Sequence, residues 1–159
     1  MKELWAPWRI EYFKKPKEKG CFMCRSLRAR KDRENLVLKR GRTCAIVINR
    51  YPYTGGHLMV APYRHVASLE ELRPAEQAEL MKLTTAAMKA LKKCARPHGF
   101  NIGINIGEAA GAGLKDHIHV HIVPRWSGDT NFITVMADVR VVPQGLLEVW
   151  QQLRKAMRG

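Results

Sequence analysis

Asp116-His-Ile-His-Val-His-Ile-Val-Pro-Arg125 alternates three histidines with branched apolar residues. Strict alternation over this length predicts a β-strand, because successive strand side chains leave opposite faces. His117, His119 and His121 then share one face, while Ile118, Val120 and Ile122 enter the core. Half of the chain's six histidines fall on this one stretch. Imidazoles titrate near neutrality, bind metals and attack as nucleophiles. Three of them in register, behind a glycine-rich loop, fit a three-histidine metal site or a nucleophile flanked by two helpers. A polar face bonded only to itself and to backbone is the bland alternative.

The rest of the chain sets the frame for that strand. At 159 residues it is long enough for one domain with one real core, and no repeat or linker divides it. No apolar run approaches the ~20 residues needed to cross a bilayer. The N-terminal Met1-Lys-Glu-Leu-Trp-Ala-Pro-Trp has no apolar secretory segment. Both observations exclude a membrane anchor as an expectation and place the chain in the cytoplasm. A net charge of +14, from 28 Lys and Arg against 14 Asp and Glu, favours a polyanionic partner. The basic residues are dispersed apart from Lys14 to Lys19, so a nucleic-acid tail is not indicated and a phosphate-rich small molecule fits equally well. A solvated basic surface fits as well.

Residues 1–20 read as an arm that packs on the core or a partner, since Trp5, Trp8, Tyr12 and Phe13 are costly to leave in water. Residues 22–33 read as a short basic helix. Strands are expected at 36–39, 43–49 and 57–61, joined by the turn chemistry of Arg40-Gly-Arg42 and Tyr51-Pro-Tyr-Thr-Gly-Gly56. A long helix spans about 74–96, with Leu80, Leu83, Ala87 and Leu91 on one stripe and Met81 and Met88 beside it. Phe100–Gly107 alternates as a fourth strand, and 143–158 forms a final helix. Short connections favour antiparallel pairing. The expected class is α+β: one five-stranded antiparallel sheet with a long central helix and a C-terminal helix on one side.

His117-Ile-His-Val-His-Ile-Val123 resembles the signature of the histidine triad (HIT) superfamily. Asn105-Ile-Gly-Glu-Ala-Ala-Gly-Ala-Gly113 and Pro124-Arg-Trp-Ser-Gly-Asp-Thr-Asn-Phe132 resemble its branch of bacterial diadenosine tetraphosphate phosphorylases and hydrolases, relatives of the fragile-histidine-triad hydrolases. That resemblance implies a homodimer with a continuous sheet. It also implies nucleotidyl transfer from dinucleoside polyphosphates through a nucleotidyl-histidine intermediate. His119 is then the nucleophile, and His121 its proton and hydrogen-bond partner. The resemblance puts Asn49 on the ribose, His57 behind the triad, Asn105 on the phosphate chain, and the amides of Ala112 and Gly113 on the α-phosphate. Glycine at 113 stands where the phosphorylases often carry a hydroxyl, which leaves the acceptor open between phosphate and water.

Cys21, Cys24, His65 and His117 are candidate ligands of a structural Zn²⁺ in a closed Cys₂His₂ site. Zinc-bearing branches of the superfamily use a CxxC pair, a Pro-x-x-His histidine (Pro62-Tyr-Arg-His65 here) and the first triad histidine. A reduced CxxC with His65 free at the surface is the alternative. Two other functions stay open from sequence: a phosphoramidate or nucleotidyl-conjugate hydrolase of the same superfamily, and a nucleotide- or nucleic-acid-binding module.

Overall fold

The computed structural model describes residues 20–52, 54–129 and 144–158. The arm up to residue 19, including Lys14 to Lys19, and the end of the Arg125–Phe132 stretch lie outside the described residues. Five strands, β1 (Val37–Arg40), β2 (Cys44–Ile48), β3 (Leu58–Pro62), β4 (Gly99–Ile104) and β5 (Val120–Arg125), form one sheet in the order β1-β2-β3-β5-β4. Every neighbouring pair is antiparallel. Helix α1 covers Phe22–Arg28, α2 Pro74–Ala95 and α3 Leu146–Arg158. The α+β expectation therefore holds.

Helix α2 starts where Pro74 supplies a preset φ at the first turn and Glu76 folds back to accept from the Arg73 amide at 2.8 Å. It ends where Arg96 turns left-handed ahead of Pro97. Leu80, Leu83, Thr84, Ala87 and Leu91 are buried against the sheet, whereas of the second apolar line Met88 packs half-buried against that core and Met81 is exposed. Helix α3 adds Val149 and Leu153 to that core, and its Trp150 Nε1 donates to the Val37 carbonyl at 3.0 Å. The two long helices share one face, as expected. Met23 and Leu27 of α1 pack on the other, with Val37, Ala45, Val47, Met59 and Ala61. Strands β2 and β3 are consequently buried on both faces, which is why they read as unbroken apolar runs.

Glu79 ties α2 to the β1–β2 turn. Its carboxylate accepts from the amides of Arg42 (2.9 Å), Thr43 and Cys44 (3.0 Å), and from Thr43 Oγ1 (2.6 Å). Burial alone raises its pKa, but these donors outweigh burial and hold it at about 2. A Cβ on Gly41 would stand 2.7 Å from the same carboxylate, so the turn needs glycine for space. No helix among the described residues is long and apolar enough to cross a membrane.

Candidate active site and metal centre

Strand β5 begins only at Val120, so His117 and His119 lie on its extended lead-in rather than in the ladder. The lead-in is held instead by the Ile118 amide, which donates to the Val66 carbonyl at 2.7 Å. Alternation survives: Ile118, Val120 and Ile122 join the helix-side core. The three histidines, however, do not act as one set. Leaving the ladder lets the lead-in bend, and His117 separates from the other two.

His117 Nδ1 stands 3.3 Å from Cys21 Sγ, 3.4 Å from Cys24 Sγ and 3.4 Å from His65 Nδ1, and Cys24 Sγ is 3.5 Å from His65 Nδ1. Ligand atoms on a tetrahedral Zn²⁺, with Zn–S of about 2.3 Å and Zn–N of about 2.0–2.1 Å, stand roughly 3.3–3.8 Å apart. Four of the six pairs thus have the spacing of a tetrahedron's corners, and all four atoms lie within 4.8 Å of one another. Three segments supply them: the N-terminus of α1, the end of β3 and the β5 lead-in. His117 Nε2 donates to the Pro62 carbonyl at 2.9 Å, which fixes the tautomer and leaves Nδ1 bare toward the cluster. Burial holds His117 below its ordinary pKa and therefore neutral. Among the described residues this is the group that could hold a metal ion, and the reading of His117, His119 and His121 as joint ligands of one ion is not supported.

His119 is buried, and its Nδ1 lies 2.8 Å from the carbonyl of His117. A carbonyl only accepts, so Nδ1 carries the proton and the lone pair sits on Nε2. Burial lowers its pKa, which keeps that lone pair unprotonated at neutral pH. The His121 ring stands edge-on to it, with 4.6 Å between ring centroids. His121 Nδ1 is 2.9 Å from Nε2 of the fully buried His57, and His57 Nδ1 is 3.3 Å from Asn49 Nδ2. Burial, with the neighbouring imidazoles, pushes His57 down to about 3 and His121 to about 4, so both are neutral. Gly56 delivers His57 here. At φ +78 a side chain would be strained, and an added Cβ would also crowd Leu91 at 3.1 Å.

The glycine loop is a single 3₁₀ turn, Glu108–Ala110, entered through Gly107 (φ 79) and left through Gly111 (φ 77). Asn105 Nδ2 donates to the Gly111 carbonyl at 3.4 Å. The Ala112 amide, expected on a phosphate, points at the Gly107 carbonyl at 3.4 Å, a long bond that an anion could displace. Open space surrounds Gly113. Arg125 forms a forked pair with Asp129 (Nη2–Oδ1 2.8 Å) and also reaches Asn101, so its guanidinium braces the turn after β5. Sequence reasoning missed the carbonyls of Pro62, Val66 and His117, because backbone oxygens carry no signal in a sequence.

A histidine-bearing antiparallel sheet backed by a long helix, with a nucleophile-ready imidazole beside a Cys₂His₂ cluster, defines a histidine triad protein. The family model for the HIT domain matches residues 30–128, and the chain belongs to that family. It is 44% identical over 152 residues to an AP-4-A phosphorylase of Mycobacterium tuberculosis, covering 91% of this chain and 78% of the relative. It is 34% identical over 93 residues to the asymmetrical bis(5'-nucleosyl)-tetraphosphatase of Schizosaccharomyces pombe, covering 58% of this chain and 50% of that one. Its fold superposes on a Zn-bound histidine triad family protein from Mycobacterium smegmatis with a TM-score of 0.72 at 26% identity, covering 87% of this chain and 94% of that one.

Proposed function

We propose that this protein takes a nucleotidyl group from a dinucleoside polyphosphate onto His119 and passes it to inorganic phosphate. The observation that carries this is the bond between His119 Nδ1 and the His117 carbonyl, which leaves the Nε2 lone pair as the attacking electron pair. Nε2 bonds the α-phosphorus as the bond to the leaving polyphosphate breaks, and the leaving group departs as an anion. His121 is neutral, so its part is to donate a hydrogen bond to the departing oxygen rather than to surrender a proton. The positive charge that forms on the nucleotidylated ring is stabilised through Nδ1–H on the His117 carbonyl. In this reading Asn49, Asn105 and the Gly107–Gly113 loop hold ribose and phosphates.

Phosphate is favoured as acceptor over water by the 44% identity to a phosphorylase and by the Arg125–Phe132 stretch, against the absence of a hydroxyl at Gly113. Diadenosine tetraphosphate incubated with and without inorganic phosphate tests this. ADP with ATP only in the presence of phosphate is the expected result, and AMP with ATP in plain buffer means hydrolysis instead.

The Cys₂His₂ cluster fits a structural Zn²⁺, supplied in a reducing cytoplasm that keeps both thiols available. Cys21, Cys24, His65 and His117 would hold it. A cation there would draw the Cys24 thiol to a thiolate, against the burial that otherwise raises its pKa.

The homodimer reading is supported by β4, an edge strand among the described residues, with Ile102 and, just past its end, Ile106 both 44% exposed. Pairing of two β4 edges would bury them and continue the sheet. Sedimentation of the wild type should give a dimer, and Ile102→Lys should shift it toward monomer. A wild type that sediments as a monomer at micromolar concentration removes this reading.

A further inference from the structure

We infer that Asn49 sets the polarity of a hydrogen-bond chain, Asn49 to His57 to His121, and so decides which nitrogen of His121 carries the proton that faces the reaction. The inference rests on the nucleotidyl-transfer reading for its kinetic consequence, but not for the chain itself.

The direction follows from one backbone group. The Tyr51 amide donates to Asn49 Oδ1 at 2.9 Å. An amide N–H has nothing to accept with, so it identifies that end of the Asn49 side chain as the oxygen. The other end, at 3.3 Å from His57 Nδ1, is therefore the NH₂ and donates. His57 Nδ1 must accept, so in the neutral ring the proton is on Nε2. That proton points at His121 Nδ1, 2.9 Å away, which in turn must accept. The His121 proton is thereby forced to Nε2. Each step is compelled by the one before, because a neutral imidazole has one donor and one acceptor. Burial of His57 allows no water to interrupt the order.

Asn49 is thus a positioning residue, whatever contact it also makes with a ribose. Asparagine does here what aspartate cannot. The two side chains have the same shape, but a carboxylate at this place only accepts. Asn49→Asp draws the His57 proton onto Nδ1, makes His57 Nε2 an acceptor and pulls the His121 proton inward to Nδ1. His121 then turns a lone pair toward the leaving oxygen, where a donor is wanted.

Two readouts separate this role from ribose binding and from simple structural support. Nitrogen-15 NMR of histidine-labelled full-length protein reports each tautomer without substrate. The wild type is expected to show His57 and His121 both protonated on Nε2, and Asn49→Asp to show the His121 proton on Nδ1. The second readout is nucleotidylation of His119 from a series of adenylyl esters whose leaving groups differ in basicity. Loss of one oriented donor costs on the order of 10²–10³, and it falls where charge on the leaving oxygen is greatest. The poorest leaving group should therefore lose about 10²-fold or more in Asn49→Asp, and the best less than about 10-fold. A His121 tautomer that is the same in both proteins overturns the inference, as does a loss equal across the series. If the wild type attacks no ester, the nucleotidyl-transfer reading fails, and the NMR comparison still decides the chain's polarity.

Discussion

His119→Ala is expected to lower turnover by on the order of 10⁴-fold or more, since the proposed route loses its attacking atom. Substrate should still bind, because Asn49, Asn105 and the Gly107–Gly113 loop are untouched. The positive counterpart is a trapped intermediate. Wild type quenched after a single turnover with labelled dinucleotide should carry acid-labile, base-stable label on His119, and the variant none. Acidity adds a signature. Burial lowers the His119 pKa, so the neutral, attacking form is complete at neutral pH and is lost only as pH falls through that lowered value. Turnover should be level through neutrality and decline on acidification. Absence of label under single-turnover conditions, with activity abolished by chelation, would overturn the covalent route in favour of metal-activated water.

The second large effect concerns the metal. Cys24→Ala removes one of four candidate ligands whose atoms all lie within 4.8 Å of one another. Purified wild type should contain about one zinc per chain, and the variant less than a tenth of that. The cluster links α1, the end of β3 and the β5 lead-in, so its loss should appear first as stability. A fall in Tm of roughly 10 °C is expected, at about 2–4 °C per kcal/mol for a chain of this length. Turnover at low temperature should fall less, because His121 leans on His57, and the His117 carbonyl that orients His119 is also held by contacts outside the cluster, from His117 Nε2 to the Pro62 carbonyl and from the Ile118 amide to Val66. Equal zinc in the two proteins would sink the assignment.

Much of this molecule is visible in the order of its residues. The apolar runs at β2 and β3, the 3.6-residue stripe from Leu80 to Leu91 and the punctuation at Pro74 and Pro97 fix elements through local geometry alone. Strand ends move by a residue or two, because the limit of a ladder is set by its partner: β5 starts at Val120 where β3 and β4 begin to pair with it. Met81 belongs to the same helical period as its neighbours, yet it is exposed, because period says nothing about how wide a stripe the sheet will cover.

The candidate site divides along the same line. The sequence by itself determined the chemistry on offer: three imidazoles in alternation, a CxxC pair, a lone Pro-x-x-His histidine and a glycine loop beside them. It also determined that Ile118, Val120 and Ile122 go inward, since alternation with branched apolar residues leaves no other low-energy choice. What residue pattern alone left open was the partition of the triad, which only the family resemblance anticipated. His117 joins Cys21, Cys24 and His65, His119 ties back to a carbonyl, and His121 leans on His57. Those allegiances depend on atoms 41, 52, 64 and 96 residues apart in the chain. They depend also on backbone oxygens, identical at every residue, and only the folded chain brings one particular carbonyl within reach of one particular ring.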